Sequence, residues 1–385
     1  MVNYLFEKNV MIIFSNDSNN IVELTQAIED VRPGSHVLIW QPWEASDNIF
    51  YEYQKQDYTK NPNHSEDINN FENTLLKYNI NCFLLVGCDF SDAYLNLEKN
   101  PIKNFDVLFW PTSLLHYTYY GMTQFYGKKP SELFNPQKLI NKLYLNLNNH
   151  ERNHRAQFMD YLCKFGLFDY GINTWAQEAE NWPYKYFKAR KLTFEENRDL
   201  SRPHKVYSPE LLNVDNLIDI VTETSPCLDR KNVLSREQCF IFHTEKTFRS
   251  ILFGKPFLVL GNKGQNKNLT KYGITLYESI FDYDFDSAES MKSRCFGIID
   301  NLFGIKNKNY NEVRDSVIGV SKSNIDILMN IVYNDIYIPE KLKSLIRENR
   351  EECRSLFRVM DYNYSETFGI DKNWRLTDNI FKNIY

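Results

Sequence analysis

Short, unbroken apolar runs restrict this chain to a few architectures, because each stops at a polar or glycine-containing break and helical spacing lies between them. Val10-Met11-Ile12-Ile13-Phe14 ends in Ser15-Asn16-Asp17-Ser18-Asn19-Asn20, and Ile21, Leu24 and Ile28 then share one helix face. After Pro33-Gly34 comes a second run, His36 to Trp40. Strand, helix and strand joined by short connections are the pattern of a parallel sheet. It continues with a helical stretch from Phe71 to Tyr78, a strand Asn81-Cys82-Phe83-Leu84-Leu85-Val86 ending at Gly87-Cys88-Asp89, and a strand Asp106 to Trp110 ending at Pro111. Residues 1–135 therefore read as an α/β domain. The polar stretch from Ala45 to Glu66 reads as a loop on the side where the strands end, which is where open α/β sheets carry ligands.

Lys142 to Leu147 opens a second unit, with an Asn-rich strand end and a helix from Ala156 to Phe165. Trp175 to Pro209 has no clean period and reads as irregular. Leu217 to Val221 is a strand ending in Thr222-Glu223-Thr224-Ser225-Pro226. Phe257-Leu258-Val259-Leu260 is a further buried strand, reached through Gly254-Lys255-Pro256. Ser287–Phe303, Asn311–Met329 and Pro339–Arg358 have helical spacing, and no repeat of fixed period runs through the chain.

Composition bounds the class. In 385 residues, 43% are apolar and 25% charged, values of a globular protein with a sizeable core. A net charge of −5 runs against a protein held to nucleic acid mainly through phosphates, although Lys185, Lys188, Arg190 and Lys191 offer a local basic strip. The seven cysteines stand singly at 82, 88, 163, 227, 239, 295 and 353, with no CxxC pair, so reduced thiols in a cytoplasm are expected. No apolar run is long enough to span a membrane, and the N-terminus lacks the pattern of a signal peptide. GxGxxG, Walker, HExxH and GxSxG motifs are missing.

Three stretches carry chemistry. Asn146-Leu147-Asn148-Asn149 followed by Arg152-Asn153-His154-Arg155 puts cationic side chains and free amide N–H groups at a helix start, a competent pyrophosphate site or an ordinarily capped turn. Glu223, at a strand end, can bind a ribose diol, orient a neighbouring Lys or Arg, or belong to a capping cluster. In Thr244-Glu245-Lys246-Thr247-Phe248-Arg249, Thr244 suits an N-cap and Glu245 suits the first turn. Lys246 opposes the helix dipole there, so it reads as compensated by an anion or as part of a salt-bridged surface helix, with Arg249 on the same face.

In this order, and followed by Gly254-Lys255-Pro256-Phe257-Leu258-Val259-Leu260-Gly261, the three stretches resemble the nucleotide-sugar half of GT-B glycosyltransferases. The likeness is to the α-1,3-fucosyltransferase-like enzymes and, more closely, to a group of viral and bacterial relatives with a Gly-Lys-Pro-Phe strand and a downstream acidic segment. It covers Lys142 to Asp286. It implies two Rossmann-like domains facing across a cleft: an acceptor domain at 1–135, a donor domain at 136–338, and C-terminal helices at 339–385 packing across the cleft. It further implies a hexosyl- or pentosyltransferase that moves a sugar from a nucleotide diphosphate sugar to a glycan, a lipid-linked saccharide or a hydroxylated base in viral DNA. The expected course is inverting and metal-independent, in a cytoplasm, the host's if the chain is viral. Carried over, Arg155 and Lys246 contact the donor diphosphate with Asn148, Arg152, Thr244 and Arg249 around it. Glu245 binds ribose or the transferred sugar, and Glu223 the sugar or the cationic cluster. The fucosyltransferases have Val-Pro-Val where this chain has Lys255-Pro256-Phe257-Leu258, so the likeness stops short of naming the sugar.

A catalytic base is expected from the first domain, with Asp17, Glu44, Asp47 and Asp89 at strand ends and His116 further along as the choices. Asp282-Tyr283-Asp284-Phe285-Asp286 could hold a divalent cation against a diphosphate, but it falls past the nucleotide elements, and no metal cofactor is expected. The other classes of function are a non-catalytic nucleotide- or glycan-binding module of the same fold and a DNA-binding accessory protein.

Overall fold

The structure is a computed structural model and describes residues 3–7, 9–14, 21–41, 62–87, 101–148, 152–175, 186, 215–223, 241–334, 336–355 and 358. It is an α/β protein with a five-stranded and a four-stranded sheet.

The first sheet contains β1 (Asn3–Glu7), β2 (Val10–Phe14), β3 (His36–Gln41), β4 (Asn81–Val86) and β5 (Phe105–Phe109), in that spatial order. β1 forms an antiparallel pair with β2, and every later pairing is parallel. Val10 to Ile13 and Val37 to Ile39 are at most 1% exposed, the two-sided burial that continuous apolar runs require. Helix α1 (Ile21–Glu29) turns Ile21, Leu24, Ala27 and Ile28 inward, and it packs on α2 (Pro62–Lys77). Helix α2 starts nine residues before the spacing at Phe71 becomes visible. Its first half is polar, and Pro62 at its start supplies a helical φ without wasting an N–H.

Helix α3 (Ser113–Tyr126) has no readable stripe in the sequence. Leu114, Leu115, His116, Thr118, Tyr119 and Met122 are all buried, so it is covered on most sides and an amphipathic period does not arise.

In the second sheet the strands are β6 (Lys142–Asn146), β7 (Ile172–Asn173), β8 (Asn216–Thr222) and β9 (Phe257–Leu260), in the order β7-β6-β8-β9, all parallel. Every residue of β8 and β9 is buried. Helix α4 (Asn153–Lys164) follows β6, and α5 (Glu245–Leu252) precedes β9. Helices α6 (Met291–Ile305), α7 (Tyr310–Tyr333) and α8 (Glu340–Glu348) follow, and helical backbone resumes over 350–355. The helix read over Pro339–Arg358 is broken at Asn349, whose backbone leaves the helical region at φ −127°, ψ 50°.

The two sheets share one packed interior. Helix α3 lies against α5 and α7. Tyr126 meets the ring of Phe253, and the hydroxyls of Tyr119 and Tyr333 are hydrogen-bonded. Lys341 on α8 pairs with Asp106 on β5 at 2.7 Å.

Between α5 and β9, Gly254 has φ +67°, and a Cβ there would stand 2.5 Å from the ring of Phe134. Gly254→Ala should therefore destabilise the fold by about 1–3 kcal/mol. Urea unfolding checks this, and an unchanged midpoint would show that the turn relaxes freely.

Candidate functional site

Strand order locates the site. From β6 the chain passes outward to β7, then crosses back to β8 on the opposite side of β6. Connections diverge at such a reversal and leave a crevice beyond the carboxyl ends of the two strands, where ligands of open α/β sheets bind. Here those ends are Asn146-Leu147-Asn148 and Thr222-Glu223.

Polar side chains at the crevice are buried and joined to each other. Asn148 accepts from the Thr222 hydroxyl at 2.6 Å, gives its amide to Asn146 Oδ1 at 3.2 Å, and donates its backbone N–H to Thr174 Oγ1 at 2.9 Å. The start of α4 grips the end of β8. His154 Nε2 lies 2.8 Å from the carbonyl of Glu223, and Arg155 Nη2 donates to the carbonyl of Thr222 at 3.0 Å. Burial, with the Arg155 charge second, holds the His154 imidazole down at about 3. The ring is therefore neutral at ordinary pH, and facing a carbonyl its Nε2 is the protonated nitrogen.

Glu223 is fully buried and spends both carboxylate oxygens on the start of α5. Oε1 accepts from the backbone N–H of Thr244 at 2.9 Å and from the Thr247 hydroxyl at 2.5 Å, while Oε2 accepts from the Thr244 hydroxyl at 2.6 Å. A carboxylate suits this place because the first N–H groups of a helix have no intrahelical acceptor and carry the positive end of its dipole. Thr244 is the N-cap, its Oγ1 accepting from Lys246 N–H at 3.2 Å.

Lys246 is the charged group of α5 that reaches outward. Its side chain keeps 20% of its surface, and Nζ lies 3.0 Å from Glu245 Oε1 and 3.4 Å from Thr244 Oγ1. Burial opposes ionisation of Glu245, but the charge and hydrogen bond of Lys246 outweigh it and hold the carboxyl below its ordinary range. Arg249 does not join Lys246. It is 4% exposed and points inward, with Nη2 3.7 Å from Asp219 Oδ2 on β8. The same Asp219 accepts from Ser250 Oγ at 2.7 Å and from Asn216 Nδ2 at 2.8 Å.

The structure thus brings Asn148, Arg155, Glu223, Thr244, Glu245 and Lys246 to one edge of the second sheet, with half-buried Arg152 at the N-cap of α4. Asp17, Glu44, Asp47 and Asp89 lie outside the described residues. His116, on the first turn of α3, is fully buried, and burial lowers its pKa to about 3. His154, Thr222 and Thr247 stood within the motif stretches without a role of their own, and Thr174 stood in none; all four belong to the network.

The acidic run serves the fold. Asp286 Oδ1 accepts from Asn266 N–H at 3.1 Å and Nδ2 at 2.9 Å, and Oδ2 accepts from Lys267 N–H at 2.8 Å, which caps the short helix Gln265–Asn268. Among the described residues, no group of three or more His, Cys, Asp or Glu could hold a metal ion, and no helix is long and apolar enough to cross a membrane.

Neither a family model, a curated protein nor a solved structure matches the chain.

Glu223→Gln replaces an acceptor with an amide facing donors, and should cost about 1–3 kcal/mol in urea unfolding. Thr247→Val should cost less, and an equal loss from both would mean that the carboxylate is not the centre of the network. The two neutral histidines give a pH signature. Their folded pKa values of about 3 lie below the ordinary 6.5, so below pH 6.5 the unfolded chain binds more protons and stability falls as pH falls. Each should remove about 2 kcal/mol between pH 6.5 and pH 5. Unfolding midpoints of His154→Gln across that range should fall less steeply than those of the unaltered protein.

Proposed function

We propose that the chain is a glycosyltransferase that takes a sugar from a nucleoside diphosphate donor and passes it to a hydroxyl acceptor, with two Rossmann-like units in a GT-B-like arrangement. The observation that carries this reading is the meeting of two helix starts, those of α4 and α5, at the crevice between β6 and β8, with Lys246 beside them. As the sugar leaves, negative charge gathers on the nucleoside diphosphate. Fixed cations and helix N-termini stabilise that charge with little reorganisation, without requiring a divalent ion.

On this reading the residues divide into two groups. Lys246 and Arg152 face the diphosphate, and Glu245 takes a hydroxyl of the ribose or the transferred sugar while holding the Lys246 ammonium in place. Glu223, His154, Arg155 and Asn148 position the two helix starts, since their polar atoms bind one another and the strand-end carbonyls. Arg249 supports α5 from below through Asp219. The base that takes the acceptor proton comes from the first unit, from among Asp17, Glu44, Asp47, Asp89 and His116. Desolvation lowers the pKa of His116 to about 3, which makes it a poor base at neutral pH.

The test is release of nucleoside diphosphate from a panel of UDP-, GDP- and dTDP-sugars, together with thermal shift by the free diphosphates. A bound donor should raise the melting temperature. Lys246→Ala should weaken diphosphate affinity at least about tenfold, the effect of losing one charge-assisted contact of about 1.4 kcal/mol or more. Turnover should survive chelation of divalent cations. Binding without release, with or without acceptors, would replace the enzyme by a binding module of the same fold. No binding to any of the diphosphates would remove both readings.

A further inference from the structure

At the opposite, amino-terminal edge of the second sheet lies a cavity of about 60 Å³, lined only by described residues. The segment joining the two units, the start of β8, the Gly254-Lys255-Pro256 turn and α7 enclose it. Phe134, Ile140, Phe253 and Ile318 supply apolar wall, and Lys138, Lys255 and Arg314 supply cationic groups against the single carboxylate of Asp215.

The cations are not equivalent. Lys138 pairs with Asp215 at 3.0 Å. Arg314 donates to Asp315 Oδ1 from Nε at 2.8 Å and from Nη2 at 2.6 Å, and to the Lys138 carbonyl. Lys255 Nζ has only the Asn216 carbonyl, at 2.8 Å, and among the described residues no carboxylate lies within ion-pair distance of it. An ammonium has three donors, so two remain unused on a partly buried charge. Burial, reinforced by the like charges of Lys138 and Arg314 and opposed by Asp219 and Asp215, lowers the Lys255 pKa to about 8.

We propose that this cavity binds a small monocarboxylate, with its carboxylate on the Lys255 ammonium and its short apolar tail against Phe134 and Ile140. The small volume suits acetate or propionate better than a nucleotide or a sugar phosphate. One negative charge supplies what Lys255 lacks, whereas a second would sit beside Asp215. Apolar walls favour a carbon tail over a fully hydrated ion.

Melting temperature against propionate concentration at constant ionic strength tests this, with 1-propanol and phosphate as controls. Propionate should stabilise saturably, and neither control should match it. The effect should fade as pH rises above about 8, because Lys255, which faces the charges of Asp219, Lys138, Asp215 and Arg314, then loses its proton. Lys255→Met should weaken propionate binding at least about tenfold. Ile318→Phe, which fills the cavity and leaves Lys255 in place, should abolish binding even if Lys255→Met fails to fold. An equal shift with 1-propanol or phosphate, an undiminished shift in either folded variant, or no shift at all would overturn the proposal. Lys246→Ala should leave the propionate response intact, so the outcome is separate from that of the nucleotide site.

Discussion

The second sheet and its helices are joined through one buried carboxylate. Glu223 stands at the end of a strand with no exposed residue, where an isolated charge would be prohibitively costly. It is tolerated because it meets the start of α5, where backbone N–H and threonine hydroxyls need acceptors. Each side satisfies the other. The strand end fixes where the helix begins, and the helix start fixes which way Lys246 leaves the surface. His154 and Arg155 close the same end from the other flank by taking its carbonyls.

A second buried charge pair repeats this logic a turn deeper. Asp219 lies in the middle of β8 and receives Arg249, Ser250 and Asn216. Ser250 also donates to the carbonyl of Lys246 at 3.0 Å. Helix α5 is therefore held to β8 at its start by Glu223 and along its length by Asp219. Such paired, hydrogen-bonded groups in a core set the orientation of α5 more than they add stability.

Much of this was written in the sequence, and the residues show why the remainder was not. Strands β2, β3, β4 and β9 are apolar runs, and burial on both faces leaves that mark; β8 shows it on either side of Asp219. Helix α3 left none, because a helix packed against two other helices and buried on most sides loses its polar face. The polar first half of α2 looked like a loop for the opposite reason, having too few apolar positions to show a period. Within the site, residue types at strand ends were legible as chemistry. The direction of each side chain was not, because it follows from packing. Arg249 and Lys246 share a nominal helix face, yet the acid inside β8 draws only Arg249 inward.

The contact between Tyr119 and Tyr333 has a consequence for synthesis. The partners are 214 residues apart in the chain, and α3 is buried largely by elements made after it. At ordinary rates of translation, about 10–40 s pass between the appearance of the two tyrosines. During that interval the first sheet can assemble from its own strands, while the apolar face of α3 that will meet α5 and α7 has no partner from its own chain. Nascent protein therefore exposes a sticky helix for much of its synthesis, and a truncation before α7 would leave that surface permanently open to aggregation.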